Sequence, residues 1–277
     1  MIRFAVKDDF ESVTELWSLV FGDSADIINR FLDVHFSEDS LLVYETDNRI
    51  AAMFFLLKGD VYINGEEYPS RYLYAACTHP DYRGRGIMAG LINAAHRLCA
   101  QKSVDYICLL PAEESLYGYY EKFGYKALYG VRKLSEKDFQ SSLTDSGFAF
   151  TENLDLSTVR DRVFAKINYF KWNKEAVDFA FDFNEYYGGK SIRNRKGYIL
   201  YNANENLITV KEVACHAFEI DFIIDSLPDE HYGCHLNALV PCGDLQGEKH
   251  GMIVPLNKKA EGILPEKMNV YLGLTLD

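Results

Sequence analysis

The chain has 277 residues, 48% apolar and 25% charged, which is enough for one or two buried cores and unlike a disordered or fibrous sequence. A formal net charge of −12 repels phosphate backbones and anionic lipids, so it argues against nucleic acid and membrane surfaces as partners. An anionic cofactor would need local positive charge of its own, whereas cationic small molecules are attracted by the charge as a whole.

Asp8 or Asp9 is placed to cap a first helix. Phe10, Val13, Leu16, Trp17 and Val20 follow at helical spacing, and Gly22 ends the run. A second helix is predicted from Ala25 to Phe36. Leu41 to Tyr44 reads as a short strand. Ile50 to Leu57 is a continuous apolar run, as expected for a strand buried on both faces, and extends toward Ile63. Asn64-Gly65 is a strong hairpin dipeptide, and Tyr68 to Cys77 returns as the partner strand. A polar loop from His79 to Gly86 then leads into a helix from Ile87 to about Lys102. A strand from Tyr106 to Leu110, a helix from about Ser115 to Phe123 and a strand from Tyr125 to Leu134 complete the first half. This order predicts an α/β (α+β) fold with a mixed, mostly antiparallel sheet flanked by helices.

Residues 136–154 have linker character, which divides the chain into a first domain over 1–135 and a second, smaller α+β lobe over 155–277. That lobe is predicted to contain a helix from Trp172 to Tyr187 and strands at Gly197 to Tyr201 and Leu207 to Cys215. A helix from Phe218 to Leu227 and a strand at Val270 to Leu274 follow. Met1 to Phe10 carries four charged residues and no apolar run, so it is unlike a secretory leader. The six cysteines read as small core residues of a reduced, cytoplasmic protein. His231, Cys234, His235 and Cys242 fit no compact zinc spacing, and no metal is expected.

The chemistry concentrates in Thr78-His79-Pro80-Asp81-Tyr82-Arg83-Gly84-Arg85-Gly86-Ile87-Met88. Free N–H groups at a helix start point at an anion, and the helix dipole favours negative charge there. Gly84 and Gly86 allow close backbone approach, and Arg83 and Arg85 add charged donors. A plain strand-to-helix turn with solvated arginines is the alternative. His79 is expected to shape the loop.

Arg83-Gly84-Arg85-Gly86 resembles the cofactor loop of the GNAT superfamily of N-acetyltransferases. Tyr119-Tyr120-Glu121-Lys122-Phe123-Gly124-Tyr125 is similar to the signature near the end of that domain. Met88 departs from the small residue of the family pattern. The resemblance implies acetyl-CoA as acyl donor, with a sheet splayed beyond the strand that carries Cys77 and Thr78. Pantetheine would lie along that strand and the pyrophosphate on Arg83, Gly84, Arg85, Gly86, Ile87 and Met88. Ser115 would be a polar contact to the cofactor arm, or a helix cap. Tyr120 aligns with the tyrosine that protonates the leaving thiolate.

The strand from Tyr72 to Thr78 holds no carboxylate to act as base, and Glu66 and Glu67 stand nearer the hairpin. The two halves together resemble the first two lobes of enhanced-intracellular-survival-type acetyltransferases, with a second GNAT-like lobe that lacks a phosphate loop. In that type the terminal carboxylate reaches the active site, which makes Asp277 a second catalytic candidate. The implied activity is direct acetyl transfer to a primary amine of a small molecule or peptide. Alternatives are a CoA-binding or ligand-sensing protein without turnover, and a protein-lysine acetyltransferase targeted by its second lobe.

Overall fold

The computed structural model describes residues 1–47, 49–135, 154–194, 197–215, 234–242, 247–267 and 269–275. In chain order the first elements are β1 (Ile2–Phe4), α1 (Phe10–Phe21), α2 (Ala25–His35), β2 (Leu41–Thr46), β3 (Arg49–Ile63), β4 (Glu66–Thr78), α3 (Ile87–Gln101), β5 (Tyr106–Leu109), α4 (Tyr117–Glu121) and β6 (Gly130–Ser135). They are followed by α5 (Leu156–Phe164), β7 (Asn168–Trp172), α6 (Lys174–Tyr186), β8 (Lys190–Asn194), β9 (Gly197–Asn204), β10 (Leu207–Ala214), β11 (His235–Pro241), β12 (Glu248–Lys249), β13 (Met252–Pro255), α7 (Lys258–Ile263) and β14 (Val270–Tyr271). No helix among the described residues is long and apolar enough to cross a membrane.

The chain divides into two compact units. The first comprises Met1–Val61, Glu67–Lys126 and Met252–Leu264, and the second comprises Tyr62–Glu66, Ala127–Gly251 and Pro265–Asp277. The first unit carries a sheet in the order β1-β2-β3-β4-β5-β13. Its central strand is buried throughout from Ile50 to Leu57, as a strand covered on both faces must be. Asn64 and Gly65 turn the hairpin with φ of 53° and 90°, the left-handed values a tight two-residue loop requires. Gly22 ends α1 at φ 83°, its N–H bonded to the Ser18 carbonyl at 2.9 Å. Asp9 does not cap α1 with its side chain; its carboxylate takes two bonds from Arg3, at 2.6 and 2.8 Å, and one from the Val6 N–H.

The strand expected from Tyr125 to Leu134 does not extend the first sheet. Lys126 makes one bridge to Ile253, after which β6 pairs with β11 and β12 in the second unit. The far edge of β5 is completed by β13, antiparallel, with Met252 opposite Leu109 and Pro255 opposite Tyr106. All four residues of β5 are buried, so that edge needs a partner, and the apolar Met-Ile-Val-Pro segment provides one. The boundary therefore differs from a cut at residue 135, and 252–264 return to the first unit. Most of the expected linker, residues 136–153, and the expected helix at Phe218 to Leu227 lie outside the described residues.

The second unit carries a sheet in the order β12-β6-β11-β10-β9-β8. In each unit two antiparallel steps lead to a strand pair that is parallel, β4 with β5 and β10 with β11. The two units thus share a strand order, completed in each by a strand from elsewhere in the chain. Asn173 caps α6 through a bond from the Ala176 N–H at 2.9 Å, which leaves Trp172 in β7 rather than in the helix.

Burial holds the imidazoles of His35 and His96, both in the first unit, down at about 4 against an ordinary 6.5. A depressed pKa stabilises the fold above 6.5, and that contribution is lost as pH falls toward 4. Denaturant unfolding of the first unit should therefore show a lower midpoint at pH 4.5 than at pH 7. An unchanged midpoint would contradict the neutral burial of the two rings.

Candidate cofactor and catalytic site

The pairing of β4 with β5 covers only Ser70, Arg71 and Tyr72. Beyond Tyr72, β4 continues to Thr78 without β5 beside it. Ala75 sits at φ 51° in that stretch, a left-handed value that costs a non-glycine residue energy. The register with β5 ends three residues before this point, so the last part of β4 runs on past its neighbour. β4 and β5 are parallel, so both end at the same edge of the sheet, where open sheets commonly bind ligands. The loop to α3 leaves from one strand end, and the segment leading to α4 leaves from the other.

The loop is fixed from within. The His79 N–H bonds the Ala51 carbonyl at 2.8 Å, and its Nδ1 accepts the Asp81 N–H at 3.3 Å, capping a 3-10 turn over Pro80–Tyr82. Arg83 Nε donates to the Thr78 carbonyl at 3.1 Å, and Arg85 Nη2 donates to the Asp81 carbonyl at 2.7 Å. The Arg85 guanidinium also lies 5.0 Å from the centre of the Tyr82 ring. Each arginine spends one donor on the loop and keeps the rest of its five.

Gly84 and Gly86 both have φ 74°, and an added Cβ at either would meet nothing within 4 Å. Glycine is needed there for its backbone conformation rather than for lack of space. Gly86 is the N-cap of α3, and its carbonyl accepts the Gly90 N–H at 3.0 Å. The first-turn N–H groups of Ile87, Met88 and Ala89 have no carbonyl one turn back within the helix. Two arginines, two left-handed glycines and a 15-residue helix start make an anion cradle.

Cys77 is buried, and burial pushes its thiol up to about 12. Such a thiol is protonated and inert near neutral pH. Ser115 lies inside a 3-10 turn, Glu114–Leu116, and its hydroxyl donates to Glu113 Oε1 at 2.7 Å. It is therefore not the N-cap of α4, whose cap position is Leu116.

Tyr120 lies in α4 and is 7% exposed. Its ring meets Tyr119 and Tyr125 edge-on, with centroids 5.4 and 5.6 Å away. Burial, then the neighbouring Tyr119, push its phenol up to about 12. Beneath it, Tyr125 OH and His96 Nε2 are 3.4 Å apart. Asp277 and His231 lie outside the described residues. Glu66 and Glu67 are exposed at the hairpin.

The structure thus gathers Thr78, Arg83, Gly84, Arg85, Gly86, Ile87 and Met88 into one continuous surface, with Cys77 buried behind it. Ser115 and Tyr120 stand on the separate segment after β5. Sequence reasoning missed Ala75, because alanine gives no signal for a left-handed backbone, and the run from Tyr72 to Cys77 reads as an ordinary strand.

Residues 1–128 match the family model described as an acetyltransferase (GNAT) domain. An acetyltransferase of Pectobacterium atrosepticum is 25% identical over 147 residues, 50% of this chain and 99% of that protein. Among solved structures, a GCN5-related N-acetyltransferase from Kribbella flavida superposes with a TM-score of 0.70 at 14% identity, covering 94% of this chain and 73% of the other. Eis1 from Mycobacterium abscessus gives a TM-score of 0.70 at 12% identity over 94% of this chain and 75% of its own. At such identities the shared property is the fold, here across both units.

Proposed function

We propose, from the match of residues 1–128 to the acetyltransferase (GNAT) domain model, an acetyl-CoA-dependent N-acetyltransferase that transfers directly to a primary amine. The observation that supports it most is the junction of a strand that runs on past its pairing with β5 and a glycine-arginine cradle at the start of α3. The residues present fit the cofactor. The cradle suits a pyrophosphate, and the β4 backbone from Leu73 to Thr78 suits the amides of an extended arm. When bound, acetyl-CoA supplies an activated acetyl thioester.

The chain's own residues then have two tasks. The cradle orients the donor and offsets its charge in a protein of net charge −12. Tyr120 holds a proton at its phenol oxygen for the sulfur that departs. With its pKa raised to about 12, full transfer to a thiolate near ~8.5 is uphill before reaction, so Tyr120 acts by donating a hydrogen bond as charge builds on sulfur. The amine loses its own proton to water, since no carboxylate stands on β4 from Tyr72 to Thr78.

The inert Cys77 thiol favours direct transfer over an acetyl-enzyme. Cys77→Ala should leave kcat within about threefold, and rapid mixing should show no burst of free CoA. A burst abolished by this substitution would establish a covalent route instead.

The acceptor is sought by thiol-release assay with polyamines, aminoglycosides, amino acids and lysine peptides. Turnover with a free amine supports the proposal. Turnover with peptides alone identifies a protein-lysine enzyme, and acetyl-CoA binding without turnover identifies a sensor.

A further inference from the structure

Tyr120 stands on a helix of five residues, Tyr117–Glu121, which among the described residues has no side-chain cap at its start. A helix that short does not fix its own orientation, so the phenol must be held from outside it. The chain turns back directly afterwards. The Phe123 N–H bonds the Tyr120 carbonyl at 2.9 Å, Gly124 takes φ 86°, and the Tyr125 N–H reaches the same carbonyl at 3.4 Å. This turn carries the Tyr125 ring beneath Tyr120, edge-on, with centroids 5.6 Å apart. Tyr125 is buried at 2% exposure.

The hydroxyl of Tyr125 meets α3. It lies 3.4 Å from His96 Nε2, with the ring centroids 5.5 Å apart. Burial holds the His96 imidazole down at about 4 and raises the Tyr125 phenol well above its usual value. The imidazole is therefore neutral and the phenol protonated near pH 7, so the phenol donates and Nε2 accepts. An apolar pair of the same shape would serve the core as well, so what this bond adds is direction. α3 begins at the cradle, and His96 lies about 13 Å along its axis from that start. One rigid helix thus carries both the anion cradle and the acceptor that fixes Tyr125.

We propose, on the reading that Tyr120 is the proton donor, that His96 and Tyr125 are positioning residues: their bond ties α4 to α3 and sets the Tyr120 phenol in register with the cradle. The donor's pyrophosphate and its sulfur are then placed by one element, the first by the start of α3 and the second through His96, Tyr125 and Tyr120.

The test is steady-state release of CoA from acetyl-CoA, with spermidine, kanamycin, lysine and a lysine peptide as acceptors. The proteins are the wild type, Tyr125→Phe, His96→Leu, Tyr120→Phe and the combination Tyr120→Phe, Tyr125→Phe. Tyr125→Phe keeps the ring and its packing. It and His96→Leu should each lower kcat about tenfold and leave the acetyl-CoA KM unchanged. In the Tyr120→Phe background, Tyr125→Phe should cost nothing further, because the group it places is gone. A cost that persists in that background, or a change in the acetyl-CoA KM alone, overturns the positioning role. Slow turnover by Tyr120→Phe with normal turnover by Tyr125→Phe overturns this role and leaves the donor in place. Wild-type turnover by Tyr120→Phe removes the donor and the positioning role with it. Carbon-13 NMR of labelled tyrosine needs no acceptor. The Tyr120 resonance, identified by its absence from Tyr120→Phe, should shift in both Tyr125→Phe and His96→Leu. A resonance unmoved in both overturns the role even in a protein without turnover.

Discussion

Tyr120→Phe should lower kcat by ~10²–10³-fold, the usual effect of removing one hydrogen-bond donor to developing charge, while the fold and acetyl-CoA affinity survive. The substitution removes one hydroxyl and keeps the ring that packs against Tyr119 and Tyr125. Because burial holds the phenol up at about 12, the wild type should show no loss of this donor as pH rises to about 11. A loss confined to kcat, with the acceptor KM little changed, marks an interaction made in the transition state. Equal kcat values where chemistry limits the rate would remove Tyr120 from the mechanism and make water the proton source.

Arg160→Ala should destabilise the second unit by about 3–5 kcal/mol, because it strands a buried charge. Arg160 and Glu212 are both 0% exposed. The guanidinium also donates to the Phe170 carbonyl at 2.8 Å and lies 5.0 and 5.6 Å from the centres of the Phe164 and Tyr169 rings. The Tyr198 hydroxyl bonds the same carboxylate. Removing Arg160 leaves the Glu212 carboxyl buried with only neutral donors, whereas replacing both partners by apolar residues leaves no stranded polar group. The combination Arg160→Met, Glu212→Leu should therefore recover most of the loss. Denaturant unfolding followed in the second unit measures both. A single-variant loss below about 1 kcal/mol would show that the pair contributes little.

Local signals carried the first unit far. The apolar run at Ile50 to Leu57, the Asn64-Gly65 turn, the Gly22 stop and the start of α3 at Ile87 are all set by neighbouring residues, and the structure has each of them. The loop glycines were legible because their φ of 74° is one that glycine adopts readily. The destination of β6 and the origin of β13 were not legible. Both segments are short, and nothing within a few residues of either says which sheet edge it completes. The burial of Arg160 has no local signal, since its partner Glu212 lies on a distant strand. The roles of Arg83 and Arg85 as loop braces likewise depend on the carbonyls of Thr78 and Asp81, whose directions follow from the folded turn.

The cradle at the start of α3 is where acetyl-CoA should bind. Gly86→Asp tests this most directly. The variant forces an aspartate into φ 74°, a conformation that aspartate tolerates better than most residues, and sets a negative charge against the pyrophosphate. The measurement is calorimetric titration of acetyl-CoA into the wild type and the variant, with circular dichroism to confirm that both are folded. The wild type should bind one acetyl-CoA per chain, and the variant should lose about a hundredfold or more in affinity. Unchanged affinity in a folded Gly86→Asp protein, or two equivalent sites in the wild type, would contradict it.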